Sequence, residues 1–268
     1  MKQPPSEIDG YMDDRRKRVG QKLEEYIASV REKHSGLADA VSHILRNGKK
    51  IRPVLCMAAC ESVGGRAEAA MPAACAIEMI HTYSLIHDDL PSMDNDDMRR
   101  GLPSTHKKFG EAAAILAGDL LLTDSFGFLA SEGRAAGLAD STLLEMVRVI
   151  SSGAGRAGMA VGQMMDLEGR GGEESVHRLK TGSLIEAAVL CGALAGGADE
   201  KQTAALSGYA RATGMAFQAV DDLLDTGEGK MRERARELSR EAVGKLEDFD
   251  GDKSVLAGLA LRLCERTG

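Results

Sequence analysis

Hydrophobic positions along this chain recur at helical rather than strand spacing, and Gly and Pro cut the pattern into segments. Residues 11–33 read as a charged amphipathic helix, and "AVSHILRNG" as a short one that stops at Gly48. "RPVLCMAACESVGG" has Pro53 near its first turn and a Gly pair at its end, the asymmetry that helix termini prefer. "AEAAMPAACAIEMIHTYSLIHDD" is apolar on almost every face and predicts a central helix. "GEAAAILAGDLLLTDSFGFLA" and "STLLEMVRVISSGAGRAGMAVGQMMDL" predict two more buried helices. "SLIEAAVLCGALAGG" and "KQTAALSGYARATGMAFQAVDDLLD" follow, then the charged "KMRERARELSREAVGKLED" and a short final helix. With no fixed-period repeat and no low-complexity linker, the pattern predicts one all-α domain over residues 1–268, with long central helices.

Composition agrees. The 268 residues are 43% hydrophobic, enough for a sizeable core, while aromatics are 3% and Trp is absent. Ala, Leu, Met, Glu, Lys and Arg abound, and the β-branched and aromatic runs that strands need are scarce. A net charge of −7 with a pI near 5.5 argues against a general nucleic-acid or anionic-membrane binder. No apolar run approaches a membrane span, and the start lacks the apolar core of a signal peptide. Cys56, Cys60, Cys75, Cys191 and Cys264 form no CxxC pair and lie among Ala, Met and Leu. They read as small buried residues in a reducing cytosol, so a cytoplasmic protein is expected.

The chemistry is concentrated in "SLIHDDLPSMDNDDMRRG", residues 84–101, where acidic side chains crowd beside two arginines. Pro91 must end the central helix near Asp88 to Leu90. Asp88 and Asp89 then lie at a helix C-terminus, where the macrodipole disfavours negative charge and calls for a cation. A surface ion pair with Arg99 or Arg100 would be worth little; a divalent metal would supply much more. "FQAVDDLLD" repeats the arrangement with Asp221, Asp222 and Asp225, the first and last sharing a helix face. One such cluster reads most simply as a solvated face. Two, each closing an apolar helix and carrying only oxygen donors, suggest a phosphate held between Mg²⁺ ions. A calcium loop in "DNDDMRRG" is disfavoured, because it lacks the last Glu ligand and its arginines would oppose the ion.

An acidic protein that binds phosphate must build local positive charge. "NGKKIRP" offers Lys49, Lys50 and Arg52 beside a helix start, Arg99 and Arg100 follow the first acidic cluster, and "HRLKTG" offers Lys180 with Thr181. His81 lies two turns before Asp88 and shares its face. His87 lies on another face and is expected to be structural.

These pieces together resemble the trans-isoprenyl diphosphate synthases, most closely those of the bacterial farnesyl type. "GKKIRP", "EMIHTYSLIHDDLPSMDNDDMRRG", "AAILAGDLL", "GQMMDL", "KTGSLIEAA" and "FQAVDDLLD" occur in family order from about residue 43 to 225. The resemblance implies long helices around a central cavity and a homodimer. It also implies a reaction in which an allylic diphosphate (dimethylallyl or geranyl) ionises with a cluster of Mg²⁺ ions and the double bond of isopentenyl diphosphate attacks the cation. By motif position, Asp88 and Asp94 are direct Mg²⁺ ligands with Asp89 a close supporter. Asp221 is the ligand from the second motif, and Asp222 and Asp225 bind through waters. Arg99, Lys180, Thr181 and Gln218 would hold the allylic diphosphate, and Lys49, Arg52, His81 and Arg100 isopentenyl diphosphate. Gln163 and Asp166 would be polar supports. Each arginine of the opening motif reads as a grip on a different diphosphate rather than as a neutralising partner for the carboxylates. The released diphosphate is the family's proton acceptor, so no general base is expected. Tyr83, five positions before Asp88, would floor the cavity and give a fifteen-carbon product; as simple core it would leave a ten- or twenty-carbon product open. A geranylgeranyl or other chain-length synthase, a terpene cyclase and a non-catalytic prenyl synthase subunit are the alternatives. Asp96 and Asp97 have no assigned role.

The chain departs from the family pattern near residues 168–175, which look shortened, and near 226–245, where the usual Thr-Tyr-Pro segment is absent. Lys230 is a weak substitute for a loop lysine. Either an active-site lid is lacking, or mobile loop residues are omitted from the sequence and its numbering closed up. The second is preferred, since both places are where an open, ligand-free enzyme has mobile loops.

Overall fold

The computed structural model describes the backbone of residues 5–226 and 229–264, and the side chains of 7–223 and 231–263. The fold is all-α. In chain order the helices are α1 (Pro5–Lys33), α2 (Ser35–Leu45), α3 (Ile51–Ser62), α4 (Ala67–Asp88), α5 (Thr105–Phe109), α6 (Glu111–Ala135) and α7 (Asp140–Ala154). They continue as α8 (Met159–Leu167), α9 (Glu173–His177), α10 (Ser183–Gly196), α11 (Glu200–Thr226), α12 (Gly229–Gly244) and α13 (Ser254–Cys264). A π-helical turn, Arg178–Gly182, joins α9 to α10. Strands β1 (Met98–Arg99) and β2 (Leu102–Pro103) make a minimal antiparallel hairpin between α4 and α5.

Two buried clusters share α3 and α10. One face of α3 (Cys56, Met57, Cys60) and of α10 (Leu184, Ala187, Ala188, Cys191) joins Ile77, Met79 and Ile80 of α4 and Leu121 and Leu129 of α6. The other faces (Val54, Leu55, Ala58 and Ile185, Val189, Ala193) join Leu206, Tyr209 and Ala210 of α11 and Leu256 and Leu259 of α13. A helix with apolar neighbours on two sides has no polar stripe, which is why these segments read as apolar all round. Burying Leu55, Leu184 and Val189 completely contributes about 1.5–3 kcal/mol each relative to exposure. Cys56, Cys60, Cys75 and Cys191 are buried and unpaired, as expected, and burial pushes their thiols up. The Cys264 side chain lies outside the described residues.

As expected, α4 runs through Pro72, because the proline sits early enough to leave only one carbonyl of the opening turns without its donor. Two details differ from the sequence expectation. The segment 141–167 is two helices, because Gly155 and Gly158 adopt non-helical backbone between α7 and α8. And α6 and the continuous run Glu173–Gly196 are long and apolar enough, by length and composition, to cross a membrane. The expectation that no run comes close fails because isolated Asp119 and Asp124 scarcely lower the mean of α6. Half of the qualifying window of Glu173–Gly196 is buried, and α10 packs against α3, α4, α7 and α11.

Candidate active site

α4 ends at Asp88 with Asp89 as its C-cap, as Pro91 requires. The chain then folds back over the helix end. The Asp94 N–H donates to the Asp88 carbonyl at 2.8 Å, and Asn95, in the left-handed region at φ 54°, donates to the Leu90 carbonyl at 3.1 Å. This reversal sets Asp94 beside Asp88, which a continuous helix could not do. Burial pushes the Asp88 carboxyl up to about 6; Lys180 and Arg99 pull it down, while Asp94 and Asp89 raise it.

Asp89 and Arg99 correct one sequence reading. Asp89 is 0% exposed, and its Oδ1 accepts from Arg99 Nε at 2.8 Å and Nη2 at 2.5 Å. Arg99 Nη2 also reaches Asp96 Oδ2 at 2.9 Å. Arg99 is therefore a neutralising partner for the acidic run. Asp97, the other unassigned residue, pairs with Lys107 at 2.7 Å and accepts through its carbonyl from the Ser104 N–H. The motif tolerates its charge because three of its carboxylates, Asp89, Asp96 and Asp97, are spent on ion pairs with Arg99 and Lys107, while Asp88 and Asp94 remain as like charges that repel each other.

The hairpin sends its two arginines apart. Arg100 and Gly101, both at positive φ, form the tip. Arg99 points back to Asp89, while Arg100 Nη1 donates to the Asn47 and Ile44 carbonyls and Nη2 lies 3.4 Å from His81 Nε2. Gly48, at φ +108°, makes this possible: a Cβ there would lie 2.3 Å from Arg100 Nη1. The result is a cavity of about 450 Å³ lined by Asn47, Gly48, Lys49, Arg52, Glu78, His81, Arg100 and Phe217 among others. All four residues expected to hold isopentenyl diphosphate meet there. Lys50 has a different task. Its backbone is left-handed at φ 44°, and its buried ammonium donates to the Leu45 carbonyl at 2.9 Å, satisfying the end of α2. Burial lowers Arg52 to about 10, with Glu78 and Asp221 acting against the shift and Arg100 with it. Burial and the neighbouring Arg52, Arg100, Arg99 and Lys50 hold His81 well below the usual histidine range, so it is neutral.

The third wall is the π-helical turn. Lys180 Nζ donates to Asp166 Oδ2 of α8 at 2.6 Å. Gly162 of α8 packs so tightly on this turn that a Cβ would lie 2.3 Å from Lys180 N. Thr181 Oγ1 donates to Gln218 Oε1 at 3.2 Å, and Gln218 Nε2 donates to Asp222 Oδ1 at 3.0 Å. The expected allylic-site residues Lys180, Thr181 and Gln218 thus form one chain of contacts running from Asp166 to the second acidic motif. Gln163, 7% exposed, has neither side-chain polar atom bonded among the described residues. Glu173, His177 and Asp222 also converge, with potential ligand atoms within 4.8 Å of one another. Asp221 is half-buried in α11; the Asp225 side chain lies outside the described residues.

Tyr83 is half-buried against the α4–α6 core and meets His87 edge-on with ring centroids 5.9 Å apart. His87 Nε2 contacts the Ile115 carbonyl of α6 at 3.1 Å, a packing role. The residue that sequence reasoning missed is Glu78. It is 1% exposed and lies one helical turn before His81, and a Glu inside the apolar middle of α4, away from its Glu68 end, was the available signal.

A model of the polyprenyl synthetase family matches residues 34–233. The chain belongs to that family. Among polyprenyl synthetases of similar sequence, the farnesyl diphosphate synthase of Geobacillus stearothermophilus is 44% identical over 81% of this chain and 75% of its own length. The heterodimeric geranylgeranyl pyrophosphate synthase large subunit 1 of Arabidopsis thaliana is 42% identical over 78% of this chain, which spans 66% of that protein's length. The solved geranyltransferase of Legionella pneumophila superposes with a TM-score of 0.90 at 31% identity, covering 98% of this chain and 99% of that one. An FPP/GFPP synthase of Zymomonas mobilis superposes with a TM-score of 0.83 at 31% identity.

Proposed function

We propose that the protein condenses isopentenyl diphosphate head-to-tail with dimethylallyl or geranyl diphosphate, in a single domain, to give farnesyl diphosphate and diphosphate. The observation that carries the reading is the pairing of a carboxylate site at the end of α4 with a separate cationic cavity. A terpene cyclase has no need of the second pocket. Asp88 and Asp94 supply only oxygen donors, and Asp88 is a partly buried carboxylate beside a like charge, so the set fits Mg²⁺. Those two residues, with Asp221 of α11, would hold the ions, which would supply charge stabilisation for a departing diphosphate. Lys180, Thr181, Gln218 and Arg99 hold the allylic diphosphate, Arg99 and Lys180 by shifting from Asp89 and Asp166. Lys49, Arg52, His81 and Arg100 fix isopentenyl diphosphate, with His81 donating as a neutral imidazole. Apolar walls exclude water from the cation.

Tyr83 floors the chain-binding cavity and limits the product to fifteen carbons. The name of the Geobacillus relative supports this; those of several plant relatives support the second reading, geranylgeranyl diphosphate. Exposed Ile115 and Leu116 on α6 and Leu144 on α7 suit a second copy of the chain. Incubation with Mg²⁺, isopentenyl diphosphate and each allylic diphosphate, followed by sizing of the products, tests the proposal. A fifteen-carbon product is expected; a twenty-carbon product selects the second reading, and no product with any pair overturns both.

A further inference from the structure

A carboxylate has no obvious place in a pocket for anions, yet Glu78 lines the cationic cavity and is almost fully buried. Its Oε1 lies 3.9 Å from Lys50 Nζ and, among the described residues, makes no hydrogen bond. Arg52 Nε, in the same cavity, is also buried without a partner. One carboxylate oxygen and one guanidinium N–H of two residues lining the same cavity are therefore buried without a hydrogen bond among the described residues, an expensive arrangement at rest. Charge alone links them: Glu78 supports the charged form of Arg52, and Arg52, Arg100 and Lys50 all oppose the rise that burial imposes on Glu78.

We propose that Glu78 is the positioning residue of the cavity, accepting from Arg52 Nε–H when a diphosphate enters so that the two terminal guanidinium nitrogens grip the phosphate together. An arginine presents its donors as a rigid fork, so fixing the Nε edge fixes the direction of the others. The same carboxylate, through Lys50, braces the 46–50 loop whose Asn47 carbonyl holds Arg100. The inference deepens the proposed function, in that it assumes this cavity receives the second diphosphate.

Two measurements separate its failure from that of the functional reading. First, sodium pyrophosphate is titrated calorimetrically in EDTA, which removes the metal-dependent site. Glu78→Gln should weaken binding about tenfold relative to wild type; unchanged or tighter binding, or no binding by wild type, overturns the proposal even if the protein turns over no substrate. Second, steady-state kinetics should show KM for isopentenyl diphosphate raised about tenfold, with KM for the allylic substrate within twofold. An equal rise in both marks a merely structural residue and overturns it. Arg52→Lys lacks the fork, so adding Glu78→Gln to it should weaken pyrophosphate binding little further; full additivity of the two losses is a contrary result. Glu78→Asp keeps the charge but draws it back from Arg52 Nε, and it serves the same comparison if Glu78→Gln fails to fold: weakened pyrophosphate binding is expected, and unchanged binding overturns the proposal.

Discussion

Replacing Arg99 by Gln asks what the acidic turn depends on when no ligand is bound. Asp89 is 0% exposed and takes both its hydrogen bonds from Arg99, at 2.8 and 2.5 Å, on one oxygen; its Oδ2 has none among the described residues. Arg99→Gln therefore leaves a buried carboxylate with an uncompensated charge. Removing one partner of a buried pair costs roughly 3–5 kcal/mol. The Arg99 side chain is 26% exposed, which admits water and sets the cost at the lower end. The lost contact to exposed Asp96 adds at most about 1 kcal/mol, and a bond from the new Gln amide returns a similar amount. The expected net loss is about 3 kcal/mol. Urea denaturation at pH 7.5 in EDTA, followed by circular dichroism, measures it. Adding Asp89→Asn removes the stranded charge, and the double variant should regain most of the loss. A single-variant loss below about 1 kcal/mol, or a double variant no more stable than the single, would refute the claim that this ion pair holds the turn.

Other consequences follow from the same geometry. Gly48→Ala puts a Cβ 2.3 Å from Arg100 Nη1 at φ +108°, so KM for isopentenyl diphosphate should rise more than KM for the allylic substrate, with about 1–3 kcal/mol lost in stability; equal KM values before and after would show Arg100 to be free of that loop. Tyr83→Ala should lengthen the product, and unchanged chain length on chromatography would remove Tyr83 as the floor. His81, held well below the usual 6.5, binds protons more readily in the unfolded chain, so wild-type stability should fall as pH drops below 6.5. His81→Gln should flatten that slope by up to about 1.4 kcal/mol per pH unit, and identical slopes in urea titrations at pH 5 and 6.5 would count against a buried neutral imidazole. Stripping metal with EDTA should abolish turnover and excess Mg²⁺ should restore it; full activity in EDTA would contradict the carboxylate assignment.

Much of the molecule was legible in the chain. The helices of the body were predictable because burial on several sides demands apolar residues on several faces, and that demand is written in the periodicity of residues 67–89 and 183–197. Pro91 announced the end of α4 through local sterics alone, and the two aspartate motifs and "GKKIRP" announced their chemistry by residue type. Asp88, Lys49, Arg52 and Lys180 with Thr181 stood out as candidates by residue type, while Asp94 and Gln218 took their expected roles from the family resemblance.

What the chain alone could not determine was which charge answers which. Arg99 and Arg100 are adjacent and chemically alike, yet a turn with two positive-φ residues sends one to Asp89 and the other to Asn47 and His81. Sequence order did not say which charges Glu78 meets; tertiary packing of α3 and α4 buries it beside Lys50, Arg52 and Arg100. The physical reason is range: helix periodicity and proline sterics act within a few residues and leave a mark in sequence order. Ion pairing and desolvation act through space, between residues the fold alone makes neighbours.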